Sequence, residues 1–310
     1  MDSKRIAVID CGTNTFNLLV LEFANEEWKT IFKTKQAVKI GVGGFDQGII
    51  QPDRLVRALD ALSSYNATCA SFEVNEVKIF ATSAVREAQN GSQFVSKVKE
   101  VFGWNVQVIS GDREAELIYE GVKLAVNGTV PSYIIMDIGG GSTEFVLVKN
   151  HEVVWRKSYL MGVSRLFEWL QPSSRITSEE IHQLKLKCNA EWEELVHRIK
   201  ENDIQTLVGS SGSFDTLYDF FLTETKSESS SKNLHEIPFS YFPQIHQWLM
   251  SSTLEERLAH PAIPALRAEY MQISSYLVKY ILTQHAFNTL LCSDYALKEG
   301  VLAEIMNKHN

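Results

Sequence analysis

The same short pattern occurs twice in this chain, at an offset of 127 residues: Asp10-x-Gly12-x-x-Thr15 in DCGTNT and Asp137-x-Gly139-x-x-Ser142 in DIGGGS. Self-similarity at a fixed offset marks a duplicated fold. Each copy stands between two β-rich runs, RIAVID (5–10) and NLLVLEF (17–23) in the first half, YIIMD (133–137) and EFVLV (144–148) in the second. A carboxylate at a strand end, beside a turn whose backbone N–H groups point outward, suits phosphate and a divalent cation. A lone copy reads most simply as a hairpin turn, where Asp and Gly are common. Two copies at equivalent places favour a pair of binding loops.

The remaining pattern fits two α/β units. A third strand is expected over Trp28–Val38, then a helix opened by Pro52 and Asp53, a strand at VKIFAT, a helix from near Val85, a strand at Val106–Ile109 and a helix with Asp112 at its start. The segment NGTVP, between Ala125 and Pro131, interrupts helix and strand and sets the boundary. The expected division is 1–125 and 126–295, with a terminal helix over 296–310 packing back on the first unit. TETKSESSSK (223–232) has no apolar period and reads as a solvated loop inside the second unit. A length of 310 residues accommodates two such domains.

Charge and composition narrow the function. Hydrophobic residues make up 45% and charged residues 22%, as in soluble globular proteins. Thirty basic against 38 acidic side chains give a net charge of −8, which argues against a surface built to hold nucleic acid or an anionic membrane. Most of the surplus acid lies from residue 125 onward, where 22 acidic side chains face 16 basic ones. No run of apolar residues is long enough to span a membrane, and MDSKRIAVID has no signal-peptide core, so a cytoplasmic location is expected. Cys11, Cys69, Cys188 and Cys292 are scattered and the eight histidines show no ligand spacing, so neither disulfides nor structural zinc are expected.

Several residues are candidates for chemistry. Gly12 lets the backbone approach an anion, with Thr13 and Asn14 as side-chain donors, and Gly139, Gly140 and Gly141 remove every Cβ from the second loop before Ser142. GSSGS, with Gly209, Ser210, Ser211 and Gly212, follows an apolar run and precedes a helical stretch, which makes it a third phosphate cradle or an ordinary Ser/Gly turn. Glu114 starts a helix after ISG, where acids also simply favour the helix dipole. Arg86 follows ATSA and is either a solvated arginine or a phosphate ligand.

AVIDCGTNTFNLLV, ATSAVREAQN, VISGDREAELIYEGV and MDIGGGSTEFVLV resemble successive signatures of the exopolyphosphatase and guanosine pentaphosphate phosphohydrolase family. SYLMGVSRLFEWL, LVGSSGSFDTLYDF, IPALRAEYMQ and SDYALKEGVL extend the resemblance through residue 302. It implies two ribonuclease-H-like domains of the actin, sugar kinase and acetate kinase superfamily around an interdomain cleft. It further implies that Glu114 activates the attacking water, that Asp137 and Glu144 hold magnesium, with manganese as a substitute, and that Asp10 joins them directly or through water. Thr13, Asn14, Arg86, Gly139 to Ser142, the Gly209–Gly212 loop and Arg267 fall on phosphate-contacting positions, and Arg165 on a cleft-facing one.

Two positions depart from the family pattern. Arg113 replaces an acid beside Glu114, which implies a changed local charge there. Lys39 replaces an arginine and keeps the charge without the bidentate fork. The expected activity is release of terminal phosphate from inorganic polyphosphate or of the 5′ γ-phosphate from guanosine pentaphosphate, with no nucleic acid or membrane partner and a homodimer left open. A kinase of the same architecture and a non-catalytic sensor of a phosphorylated nucleotide are the rival readings. The resemblance is to the short form of the family, which implies limited grip on long polymers.

Overall fold

Runs whose residues are apolar at nearly every position form the central strands of two mixed sheets, because helices cover both faces. The computed structural model describes residues 4–24, 27–229 and 232–307. Its first half runs β1 (Lys4–Cys11), β2 (Thr15–Ala24), β3 (Glu27–Ala37), α1 (Pro52–Ser71), β4 (Glu76–Ala81), α2 (Ser83–Arg86), α3 (Gly91–Phe102), β5 (Val106–Val108) and α4 (Gly111–Val126). The second runs β6 (Tyr133–Ile138), β7 (Thr143–Lys149), β8 (Glu152–Tyr159), α5 (Val163–Leu170), α6 (Ser178–Glu191), α7 (Glu193–Asn202), β9 (Thr206–Ser210), α8 (Ser211–Thr225) and β10 (Leu234–Glu236). It ends with α9 (Phe242–Ser251), α10 (Leu254–Ala259), α11 (Met271–Leu282), β11 (Thr289–Ser293) and α12 (Leu297–Asn307).

The duplication is visible in the strand order. One sheet reads β3-β2-β1-β4-β5, the other β8-β7-β6-β9-β11-β10, so the same ribonuclease-H-like order recurs with one extra edge strand. In both, the first strand pairs antiparallel with the second and parallel with the fourth of its set. Alternation along β1 sends Ala7 and Ile9 into a core with Phe16, Leu62 and Phe94, and Ile6 and Val8 into another. That second core is shared between the sheets: it joins Ile6 and Val8 to Leu117 and Val301 on the helices and to Ile135 and Val146. Helices α4 and α12 therefore lie between the halves. A third core, with Phe145, Trp192 and Phe214, belongs to the second sheet.

Two local readings change. The helix expected near Val85 is two helices, α2 and α3, with a turn between them that Asn90 fastens by accepting from Ile50 N and donating to Ile50 O, at 2.7 and 2.9 Å. In TETKSESSSK the first three residues complete α8, where Thr225 Oγ1 donates to Phe221 O at 2.7 Å and Lys226 takes a left-handed cap. Ser230 and Ser231 lie outside the described residues, as do 1–3 and 308–310, the last three of the expected terminal helix.

Helices α4 and α12 cross at glycine. A Cβ on Gly300 would stand 1.8 Å from the Leu117 carbonyl oxygen, which is helix backbone and cannot yield. Gly300→Ala should therefore destabilise the protein by about 2–3 kcal/mol through overpacking, read as a lowered denaturant midpoint. An unchanged midpoint would refute the close approach of the two helices.

Candidate functional site

Both hairpins use the same turn: Gly12 N donates to Thr15 O at 3.1 Å and Gly139 N to Ser142 O at 3.0 Å. They meet across a cleft. Ser164 Oγ, after the second hairpin, donates to Asn14 Oδ1 of the first at 2.8 Å. A Cβ on Gly140 would lie 2.9 Å from both the Asn14 and the Thr13 side chains, so only glycine permits this approach. Between the loops and the shared helices is a cavity of about 750 Å³.

The sequence candidates divide by whether they line it. Asp10, Thr13, Asn14, Glu114, Asp137, Gly139 to Ser142, Ser211, Gly212 and Arg267 do. Gly209 and Ser210 instead belong to β9, where a Cβ on Gly209 would fall 1.9 Å from the Phe214 ring, so packing accounts for that glycine. Ser210 and Ser211 both donate to Asp137 Oδ2, at 2.6 and 2.7 Å. Glu144 is buried directly opposite Asp137 in the β6–β7 pair and accepts from Ser158 Oγ at 2.7 Å. In the first hairpin the same register sets Asn17 opposite Asp10, with Asn17 Nδ2 donating to Asp10 Oδ2 at 3.0 Å. The repeat offset pairs Asn17 with Glu144, a signal in the sequence that the loop pattern alone overlooks.

Arg86 is committed to protein groups. Its Nη1 donates to Glu114 Oε2 at 2.9 Å and to Ile109 O at 3.0 Å, and its Nε to Glu87. Arg113 does not act on Glu114 as expected, because neighbouring positions on a helix point in different directions. Arg113 turns to Glu116 and to Glu304 of α12, and the cation beside Glu114 is Arg86. Arg267 donates to Thr216 Oγ1 at 2.9 Å and stands 3.5 Å from Asp215. Arg165 donates from Nε to Gly141 O at 3.0 Å, and Lys39 reaches Glu269 at 3.4 Å outside the cavity. Lys298, in the first turn of α12, lines the cavity beside Glu299 at 3.0 Å and was not singled out by any motif.

Three buried carboxyls, Glu114, Asp137 and Glu144, thus gather with the half-buried Asp10. Burial pushes Asp10 up to about 6, against the Asn17 hydrogen bond and the Lys298 charge. Burial likewise raises Glu114 to about 7, opposed by Arg86 and reinforced by Asp10 and Asp137. Asp137 is raised by burial despite its two serine donors, and Glu144 is raised well above the carboxylate range by burial and by Glu114 and Asp137. Burial works against the Lys298 ammonium, but Glu299, Asp10 and Asp215 outweigh it and raise its pKa.

A carboxyl whose folded pKa is raised holds its proton more tightly folded than unfolded, so ionising it costs stability as pH climbs. For Asp10 the loss begins at 3.8 and is complete above about 6; for Glu114 it runs from 4.5 to about 7. The chelated protein should melt at a lower temperature at pH 8 than at pH 5, and Glu114→Gln should shrink that drop. An equal drop in both proteins would show that Glu114 does not contribute.

Residues 19–309 match the Ppx/GppA phosphatase family. The chain belongs to that family. It is 32% identical to an exopolyphosphatase from Cytophaga hutchinsonii whose crystal structure covers 98% of both chains with a TM-score of 0.95. The Aquifex aeolicus Ppx/GppA family member follows at 25% identity and a TM-score of 0.80, over 100% of this chain and 99% of that one. Exopolyphosphatase 2 of Mycobacterium tuberculosis is 26% identical over 97% of this chain and 98% of its own length. As a Ppx/GppA protein, this chain shares the family's fold over its whole described length, and the paired hairpins fall at the centre of it. Among the described residues no helix is long and apolar enough to cross a membrane.

Proposed function

We propose that this chain is a phosphohydrolase that removes terminal phosphate from inorganic polyphosphate or the 5′ γ-phosphate from guanosine pentaphosphate. The observation that carries the reading is Glu114, a buried carboxyl facing a cavity walled by two phosphate-sized turns, with a pKa raised to about 7. A base poised near neutrality suits proton abstraction from water. Arg86 occupies Oε2, which leaves Oε1 for the water. In the proposed step a water oxygen bonds to the terminal phosphorus as the bond to the leaving oxygen breaks. The water's proton passes to Glu114, orthophosphate departs, and the shortened phosphate carries away the bonding pair. Amides and hydroxyls of residues 13–14 and 139–142 would orient the terminal phosphate, with residues 1–125 and 126–295 as the two walls.

The donor set fits a hard divalent cation. Among the described residues no three His, Cys, Asp or Glu side chains are arranged to hold a metal by themselves. Magnesium needs less, since it is held by one or two carboxylates together with water and substrate phosphate. Asp10 and Asp137 face the cavity, each with one oxygen engaged by a donor and the other available, and the excess of buried acid calls for a cation. Glu144 would complete or orient that set. When bound, magnesium or manganese supplies charge neutralisation at the phosphate oxygens.

The test is phosphate release with magnesium from tripolyphosphate, long polyphosphate, guanosine pentaphosphate and ATP. Transfer to an acceptor without release would favour a kinase, and binding without turnover a sensor. Acids outnumber bases along the cavity, where Lys33, Lys35, Arg267 and Lys298 are the cations. Such a lining gives little grip on a long polyanion. A partly digested long polymer should therefore appear as a gradually shifting ladder, and untouched chains beside fully degraded ones would refute this expectation.

A further inference from the structure

Beside the catalytic cavity is a second one of about 480 Å³, separated from it by the Ser164–Asn14 bond and sharing Tyr270. Its wall includes Lys39 and the loop after β3, Arg54 and Arg57 of α1, and Glu168 of α5. The loop presents consecutive backbone amides of Gly43, Gly44 and Phe45 toward the Glu168 carboxylate, with Gly43 N at 2.7 Å from Oε1 and 3.1 Å from Oε2. Gly43 has φ +79, a left-handed conformation that turns successive N–H groups to one side. Successive amides arranged this way form a concave anion site.

The cations around it are incompletely matched. Arg54 Nε is buried without an acceptor, the Asp53 carboxylate standing 3.4 Å away outside hydrogen-bonding geometry. Lys39 meets Glu269 only at 3.4 Å. An amide cradle walled by three cations, Lys39, Arg54 and Arg57, against two carboxylates, Glu168 and Glu269, has positive charge to spare for a further anion.

We propose that this cavity is a second anion site for a phosphate group, and that Glu168 occupies it as a built-in stand-in which the phosphate displaces. The inference rests on the phosphohydrolase reading for its ligand class, while the geometry of the site is independent of it. The phosphate is either the distal end of the substrate or a separate ion. The site is coupled to the catalytic loop, because the same β3–α1 segment donates from Val38 N and Lys39 N to Asn14 O at 3.0 and 2.9 Å.

The test is calorimetric titration of the full chain with orthophosphate, which needs no turnover. Relative to wild type, Glu168→Ala should bind orthophosphate at least about tenfold tighter, because a competing anion is removed from amides and cations. Adding Lys39→Ala and Arg57→Ala to that variant should abolish the gain. Unchanged affinity in Glu168→Ala, or a gain that survives the added substitutions, overturns the proposal. Kinetics then distinguish the sources. If the substrate's own tail is the ligand, Glu168→Ala lowers KM for long chains and leaves tripolyphosphate unchanged; if a separate ion is, added orthophosphate alters both alike. Retained tight orthophosphate binding in a chain without turnover would tell against hydrolysis and leave this site standing.

Discussion

Glu114→Gln should lower phosphate release by about 10²- to 10⁴-fold, the range of a positioned general base, while substrate affinity stays within a few-fold. The amide keeps the shape of the carboxyl, and its oxygen can still accept from Arg86 Nη1, so the α2–α4 contact survives. What it cannot do is take the water's proton. In the wild type kcat/KM should rise with pH through about 7, since only the ionised carboxylate is a base. The variant's residual rate should lack that limb. Activity within a few-fold of wild type would remove Glu114 from the mechanism.

Asp137→Asn should be nearly as damaging, with loss well beyond the roughly 10- to 100-fold that follows from disturbing a ligand's outer partners. Ser210 and Ser211 converge on one oxygen of Asp137, and these bonds fix the carboxylate's orientation toward the cavity. An amide preserves the volume but removes the charge a hard cation needs. Excess EDTA should silence the wild type, and magnesium should restore it. Steady phosphate release in EDTA would sink the metal assignment for Asp10, Asp137 and Glu144 together.

The duplicated hairpins were legible in sequence because an apolar strand, an acid and a glycine turn are all local features. Asp10, Thr13, Asn14 and Asp137 needed only those features to be recognised as candidates. The loop at 209–212 was harder. Its four residues look alike in composition, but the change from strand to helix after Ser210 brings Ser211 and Gly212 to the cavity, while Gly209, still in β9, is seated under Phe214. Arg113 misleads for a similar reason: adjacency in sequence separates two side chains on a helix, and the partner of Glu114 comes from twenty-eight residues earlier. Lys298 lies within the family-like segment SDYALKEGVL but carries no signal of its own there. A lysine followed by a glutamate is ordinary on a helix surface, and its meaning here depends on burial that only the packing of α12 creates.

That packing has a consequence for synthesis. Lys298 and Glu299 close the cavity from near one end of the chain, Asp10 opens it from near the other, and α12 rests on the helix that bears Glu114. A growing chain can pair β1 with β2 early, since their contacts are local, but the cavity lacks part of its wall until residues 297–307 are present. Closing the cavity is therefore a late step of folding, because α12 meets α4 through long-range contacts such as Arg113–Glu304, 191 residues apart.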